Sequence, residues 1–310
     1  MADNDKPRNN RPGPMNALIS KLHSSRFASE LLARCNFAPA DTQVNCAVSG
    51  GQDSMAMLLL AILNGCQVTV FHVDHCLRKG SELEAQIVAD VAEKLGAGFI
   101  GKTIKVEPGA NLEARAREAR YEVLPEDITT GHTADDQAET LLINLLRGAG
   151  LQGLAAMQQG HNHPILGLRR SETAMLCKEL EIECVVDTSN DDLKYLRNQV
   201  RHKLLPLMNE ISQRDVAVVL SRQAELFRED ANFLDELAKT LDPTDAKVIA
   251  LAPVALARRA IRLWLTQSYP PDAATVERVL EVARGTTTAC EIGMNREVRR
   301  SNQRLRINLK

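Results

Sequence analysis

Two hydrophobic periods interleave along the first two-thirds of the chain. Short apolar or β-branched runs at 44–48, 67–73, 99–106 and 128–131 read as strands. Between them lie segments with helical spacing. Residues 55–63 are almost wholly apolar and stop at Asn64-Gly65. The next helix opens at Ser81, with Glu84 completing a capping box, and carries a stripe of Leu83, Ile87, Val88, Val91 and Leu95. A third helix runs from an Asn111 cap to Leu124, before Pro125. A fourth spans about 134–147, with its stripe at Ala138, Leu141, Leu142 and Leu145.

Strands alternating with helices predict an α/β fold, a doubly wound parallel sheet. A helix from Ser171, a strand-like 182–186, a polar turn Asp187-Thr188-Ser189-Asn190 and a helix carrying Leu196, Val200 and Leu204 follow. From about Arg214 the period is helical over 216–241, 253–266 and 273–284, before a tail that alternates Leu305, Ile307 and Leu309. The expected organisation is a disordered polar tail over 1–14, an α/β domain over 15–214 and a smaller, mostly helical domain over 215–310. Met1 and Met15 are both candidate starts.

In open parallel sheets ligands bind beyond the carboxyl ends of the strands. Three polar clusters fall there. The first is Ser49-Gly50-Gly51-Gln52-Asp53-Ser54, between a strand and a helix. That arrangement turns backbone N–H groups and a positive dipole end toward an anion. Gly50 and Gly51 permit left-handed dihedrals and close approach to phosphate, Ser49 and Ser54 add hydroxyls, and the Asp53 carboxylate suits Mg²⁺ against a pyrophosphate. No lysine follows the glycines, so this is not a Walker A loop.

The second cluster is Asp74-His75-Cys76-Leu77-Arg78, and the third runs from Gly131 through His132, Thr133, Asp135, Asp136 and Glu139. Asp135 and Glu139 lie one turn apart on a helix and predict an acidic pocket for an amine or Mg²⁺. The plain alternative is a capping box from Thr133 to Asp136. Arg117 and Arg120, at i,i+3, suit a phosphate clamp, with ion pairs to Glu113 or Glu118 as the plain alternative.

Composition narrows the partners. Aromatic residues at 3% argue against a surface of base-stacking platforms, and a net charge of −2 gives no global field for RNA or membrane. Two local basic runs stand out, one holding Lys194, Arg197, Arg201, Lys203 and Arg214, the other Arg296, Arg299, Arg300, Arg304, Arg306 and Lys310. Read alone, both are solvated faces. Seven cysteines without a C-x-x-C suit reduced thiols in a cytoplasmic protein better than disulfides or a zinc site. No apolar run reaches membrane-spanning length.

The hexapeptide resembles the pyrophosphate loop of N-type ATP pyrophosphatases. Taken in order, S-G-G-Q-D-S, H-V-D-H-C-L-R, N-L-E-A-R-A-R-E-A-R-Y, G-H-T-A-D-D-Q-A-E-T-L-L and the R-N-Q-V-R-H segment at 197–202 resemble the tRNA(Ile)-lysidine synthetases. Cys76 stands where glycine is expected, and Thr133 where a second histidine is. His161-Asn162-His163-Pro164-Ile165-Leu166 looks like a worn Arg-Pro-Leu-Leu segment.

The resemblance implies a ligase. ATP adenylates the C2 carbonyl oxygen of the wobble cytidine in a CAU-anticodon tRNA(Ile), and the ε-amine of L-lysine attacks C2 and displaces AMP. It further implies ATP and Mg²⁺ at Ser49, Gly50, Gly51, Gln52, Asp53 and Ser54, with Asp74, His75 and His132 on the nucleotide side. Arg117 and Arg120 would balance phosphate charge, and Asp135, Asp136 and Glu139 would bind lysine. Arg197, Arg201, Lys203, Arg299, Arg300 and Arg304 would contact tRNA. A homodimer is compatible with this reading. A tRNA thiolase and a non-catalytic tRNA binder are the alternatives. The first lacks a C-x-x-C pair, and the second would have no need of the carboxylates.

Overall fold

The computed structural model describes residues 14–74, 81–104, 115, 119–120, 122–185 and 192–309. His75, Cys76, Arg117, the 187–190 turn and the tail through residue 13 lie outside these residues. The chain divides into two compact units, 1–224 and 225–310.

The first unit opens with helices α1 (Pro14–Ser24) and α2 (Arg26–Leu32). Then come β1 (Gln43–Ala47), α3 (Gln52–Leu63), β2 (Gln67–Asp74), α4 (Ser81–Lys94), β3 (Gly98–Thr103) and β4 (Thr129–Thr130). The sheet is parallel throughout, in the order β3-β2-β1-β4. Its chain therefore steps outward from β1 to β3, then returns to the other side of β1. The carboxyl ends of β1 and β4 flank this reversal, where an open α/β sheet has its crevice.

Both faces of the sheet are covered. Cys46, Val68 and Val70 join the main core with α3 and α4, while Phe71 packs with Leu124 and Ile128 on the opposite face. Every side chain from Met55 to Ala61 is fully buried. An all-round apolar helix can only be an interior one. It ends as its sequence predicts, with Gly65 at φ +83, its N–H bonded to Ile62 O and the Cys66 N–H to Ala61 O.

The unit continues with α5 (Ala134–Leu146), α6 (Leu151–Leu154), α7 (Arg170–Glu179), α8 (Leu196–Gln199), a π-turn (Val200–Leu204) and α9 (Leu205–Ser212). The expected strand at 182–186 is not one. Residues 182–185 pair with no strand, because the Val185 N–H is given to the Gly50 carbonyl of the glycine turn. Leu83 and Leu145, counted in apolar stripes, stand 69% and 55% exposed at the ends of their helices. The six described cysteines are free, and burial pushes the Cys35 and Cys46 thiols up to about 12.

Helix α10 (Val216–Lys239) spans the division between units. The second unit holds α11 (Ala246–Leu251), α12 (Val254–Leu265), α13 (Ala273–Arg284) and an antiparallel sheet β5 (Ala289–Gly293), β6 (Arg296–Ser301), β7 (Arg304–Leu309). Only the last of these strands is visible in the alternation of its residues. The two hairpins turn on Met294-Asn295 and Asn302-Gln303, all four at positive φ. Such two-residue turns usually carry Asn-Gly or Asp-Gly, and that signal is missing here. Ile249, Ile261, Val279, Leu280, Val298 and Leu305 form the core of this unit.

Candidate active site

The glycine turn after β1 is built from its own side chains. The Ser54 hydroxyl donates to Gly51 O at 2.9 Å and accepts from the Ser49 N–H at 3.2 Å, and the two serine hydroxyls lie 3.3 Å apart. Gly50 holds φ +90, and a Cβ there would lie 2.6 Å from a Val185 methyl. Helix α3 starts at Gln52, so the N–H groups of Gln52, Asp53 and Ser54 have no acceptor within the helix. They form a donor cradle at the carboxyl end of β1.

Gly131 brings β4 against this cradle. A Cβ on it would sit 2.8 Å from Asp53 O and 2.9 Å from Ser54 Cα, both backbone atoms. Only glycine allows that approach. The chain then enters α5 through a capping box, in which Asp136 accepts from the Thr133 N–H at 2.9 Å and the Thr133 hydroxyl at 3.0 Å. His132 lies edge-on to His163 at 5.0 Å, with the Thr130 hydroxyl 2.7 and 2.8 Å from their Nδ1 atoms. The segment through His163 runs beside β4, the Thr130 N–H donating to Asn162 O.

The acids are not open to solvent. Glu139 is fully buried and receives three guanidinium groups: Arg170 at 3.2 Å, Arg197 at 2.9 Å and Arg201 through two bonds at 2.7 and 3.1 Å. Arg169 grips Asp135 through two bonds of 2.9 and 2.8 Å, and the Arg170 N–H adds a third at 2.8 Å. Arg170 also donates to Asp136 at 2.9 Å and to Asp53 at 3.1 Å. The Thr173 hydroxyl closes on the other Asp53 oxygen.

The acids of the expected pocket are each met by a cation in this structure. Four carboxylates (Asp53, Asp135, Asp136, Glu139) are met by four guanidinium groups (Arg169, Arg170, Arg197, Arg201), with Asp215 joining Arg169 at the edge. Burial opposes the charges of Asp53, Asp135 and Asp136, and the outcome differs by partner. Burial raises the Asp53 pKa despite Thr173 and Arg170. It also pushes Asp136 up, but Arg170, His132, the Thr133 N–H and Arg197 carry the net shift below the ordinary value. Asp135 ends low as well, because its bonds to Arg169 and the Arg170 N–H outweigh its burial. Burial works against the Arg170 charge too, yet Asp136, Glu139 and Asp53 raise its pKa overall.

The other sequence-predicted residues lie as follows. Asp74 ends β2, and Arg120 is half-buried. Arg197 and Arg201 are not a solvated face, since their side chains are 28% and 21% exposed and bonded to Glu139. Lys203 is exposed on the π-turn. In the second unit Arg299 pairs with Glu297, Arg300 donates to Gln303, and Arg304 donates to Asp242 at 2.5 Å and Thr244 at 3.0 Å. No helix among the described residues is long and apolar enough to cross a membrane.

Residues 22–208 match the PP-loop domain, and residues 245–306 match the TilS substrate binding domain. The tRNA(Ile)-lysidine synthase of Rhodococcus erythropolis is 40% identical over 71% of this chain and 73% of its own. The chain belongs to the tRNA(Ile)-lysidine synthase family. Similar relatives of the same name occur in Nostoc sp., at 33% identity over 75% of this chain and 80% of the relative, and in Mycobacterium tuberculosis, at 34% over 79% and 81%.

Three side chains of this lysidine synthase family site escape the motif reading: Arg169, Arg170 and Thr173, at the start of α7. A signal for two of them was present. Consecutive arginines at a helix N-terminus oppose the helix dipole, so they need carboxylates close by.

Proposed function

We propose that this chain joins L-lysine to C2 of the wobble cytidine of a CAU-anticodon tRNA(Ile), with ATP consumed to AMP and pyrophosphate. One observation carries the reading. Within a lysidine synthase family chain, the donor cradle of the glycine turn and the acids of α5 form one connected site at the β1–β4 reversal. The first suits phosphate and the second an amine.

The cradle of Ser49, Gly50, Gly51, Gln52, Asp53 and Ser54 takes the ATP phosphates. Asp53 is the residue that would hold Mg²⁺. One carboxylate beside phosphate oxygens fits the hard, octahedral ion, which would supply charge to the leaving pyrophosphate. Arg120, with Arg117, balances the remaining phosphate charge, and Asp74, His75 and His132 lie on the nucleotide side.

A neutral lattice admits charge only in balanced pairs. Phosphates draw N–H donors from Arg197 and Arg201, and the lysine ammonium replaces that charge at Asp136 and Glu139, beside Asp135. A carboxylate then takes the proton, since only a neutral amine attacks C2. The flipped cytidine comes from an anticodon loop, whose bases leave the stack at low cost. Lys203, Arg299, Arg300 and Arg304 supply phosphate contacts to the tRNA. A cytoplasmic setting follows from that substrate.

The test uses purified protein, Mg-ATP, radiolabelled L-lysine and a tRNA(Ile) transcript with the CAU anticodon. Label is expected to enter acid-precipitable RNA only with ATP and the wobble cytidine present. Asp53→Ala should abolish this while tRNA affinity stays nearly intact. AMP and pyrophosphate formed by the wild type with no label in RNA would overturn lysine as the nucleophile.

A further inference from the structure

Among the described residues, Arg170 is the side chain seen to touch both halves of the site. Its Nε donates to Asp53 on the first turn of α3, while its two terminal nitrogens donate to Asp136 and Glu139 on successive turns of α5. Its partners lie 31 to 117 residues away in sequence, so no local helix pairing accounts for it. Arg197 and Arg201 bond to the α5 side alone, and Arg169 to Asp135.

The support behind Arg170 is specific. It opens α7, and Thr173 and Cys177 follow at i+3 and i+7 on the same face. Thr173, fully buried, donates to Asp53, and the Cys177 thiol lies 3.4 Å from Gln52 O. One stripe of α7 thus lies along residues 52 and 53. The guanidinium presents a planar fork with separate donors for three carboxylates, which an ammonium group cannot match.

From this bridge we infer that Arg170 is a positioning residue that couples adenylation to amine transfer. The inference rests on the ligase reading above. Arg170 fixes the distance between the cradle that activates the cytidine and the carboxylates that receive lysine. In the intact site the lysine nitrogen bonds to C2 as the C2–O bond to AMP breaks, and a carboxylate takes the amine proton. Without the bridge the cradle still forms the adenylate, but the amine is misplaced. Water then takes its place, returning cytidine, AMP and a proton.

The experiment measures AMP released per lysine incorporated, with steady-state constants for lysine and ATP. The wild type should give one AMP per lysine. Arg170→Gln should give several, with KM for lysine raised roughly tenfold and KM for ATP changed far less. Arg170→Lys, which keeps the charge and loses the fork, should fold as judged by far-UV circular dichroism and fall between the two. Guanidinium ion added to Arg170→Ala should lower the ratio again.

A ratio of one in both Arg170→Gln and Arg170→Lys would overturn the coupling role, whether or not overall activity falls. Should Arg170→Gln fail to fold, a ratio of one with wild-type lysine KM in Arg170→Lys would overturn it alone. Failure of the ligase reading shows separately, because the wild type itself would then incorporate no lysine.

Discussion

The two units handle charge in opposite ways. In the second, the described ion pairs stand apart from one another: Arg258 with Glu277, Arg299 with Glu297 and Arg304 with Asp242 toward the surface, and Arg259 with Asp235 part-buried. Each joins two groups and can be lost without stranding a third. In the first, Glu139 alone holds three guanidinium groups at zero exposure, and one of these holds two further carboxylates. Desolvation penalties are large there, so each charge is tolerable only while its neighbours stay. Surface pairs decorate a fold, whereas a buried lattice is a single object.

The largest test of that contrast is Glu139→Gln. It leaves three guanidinium groups over one neutral amide and should cost about 3–5 kcal/mol in the first unit. The only tryptophan, Trp264, packs against the second unit's core. Urea unfolding followed by far-UV circular dichroism should therefore shift to lower concentration while the Trp264 fluorescence transition stays in place. Coincident shifts would mean that the units unfold as one.

Glycines give a smaller contrast. Gly131→Ala drives a methyl into backbone atoms of Asp53 and Ser54, at a cost of about 3 kcal/mol. Gly285→Ala instead meets the movable end of Arg300 and pays mainly for its φ of +83, about 1 kcal/mol. Unfolding midpoints of the two variants test the ranking, and equal costs would erase it.

The smallest effect is a titration. Hydrogen bonds from the Thr244 hydroxyl, Arg304 and the Thr244 N–H lower the Asp242 pKa to about 2. A depressed carboxylate stabilises above its unfolded value near 4 and loses that contribution as pH falls toward 2. Carbon-13 NMR should follow this midpoint. Arg304→Gln should raise it only part of the way, because Thr244 remains, and should lower the unfolding midpoint at neutral pH only slightly, as for an exposed pair.

What the sequence disclosed follows the range of the interactions. The glycine turn, the Gly65 stop and the Thr133–Asp136 capping box are local, and their signals lie within a few residues of the structures they make. The neutralisation of the acids is not legible locally, because Asp135 and Glu139 carry their charges in plain view while the arginines bonded to them stand 31 to 62 residues downstream. The basic run at Arg197 and Arg201 was ambiguous for the same reason, since periodicity cannot show that it faces a buried acid. The hairpins of the second unit were hidden by turns that do without glycine at their central positions.

The π-turn at Val200–Leu204 sets a rule of length. There the Leu205 N–H reaches back five residues to Val200 O, one more than in an α-helix. Arg197 precedes this widened turn and Arg201 lies within it, yet both reach Glu139. Removing one residue between Arg197 and Arg201 would restore regular helical bonding and rotate Arg201 and everything beyond it by about 100°. The backbone would gain regularity while the second grip on Glu139 swung away. Unlike a surface loop, this segment tolerates substitutions better than a change in its number of residues.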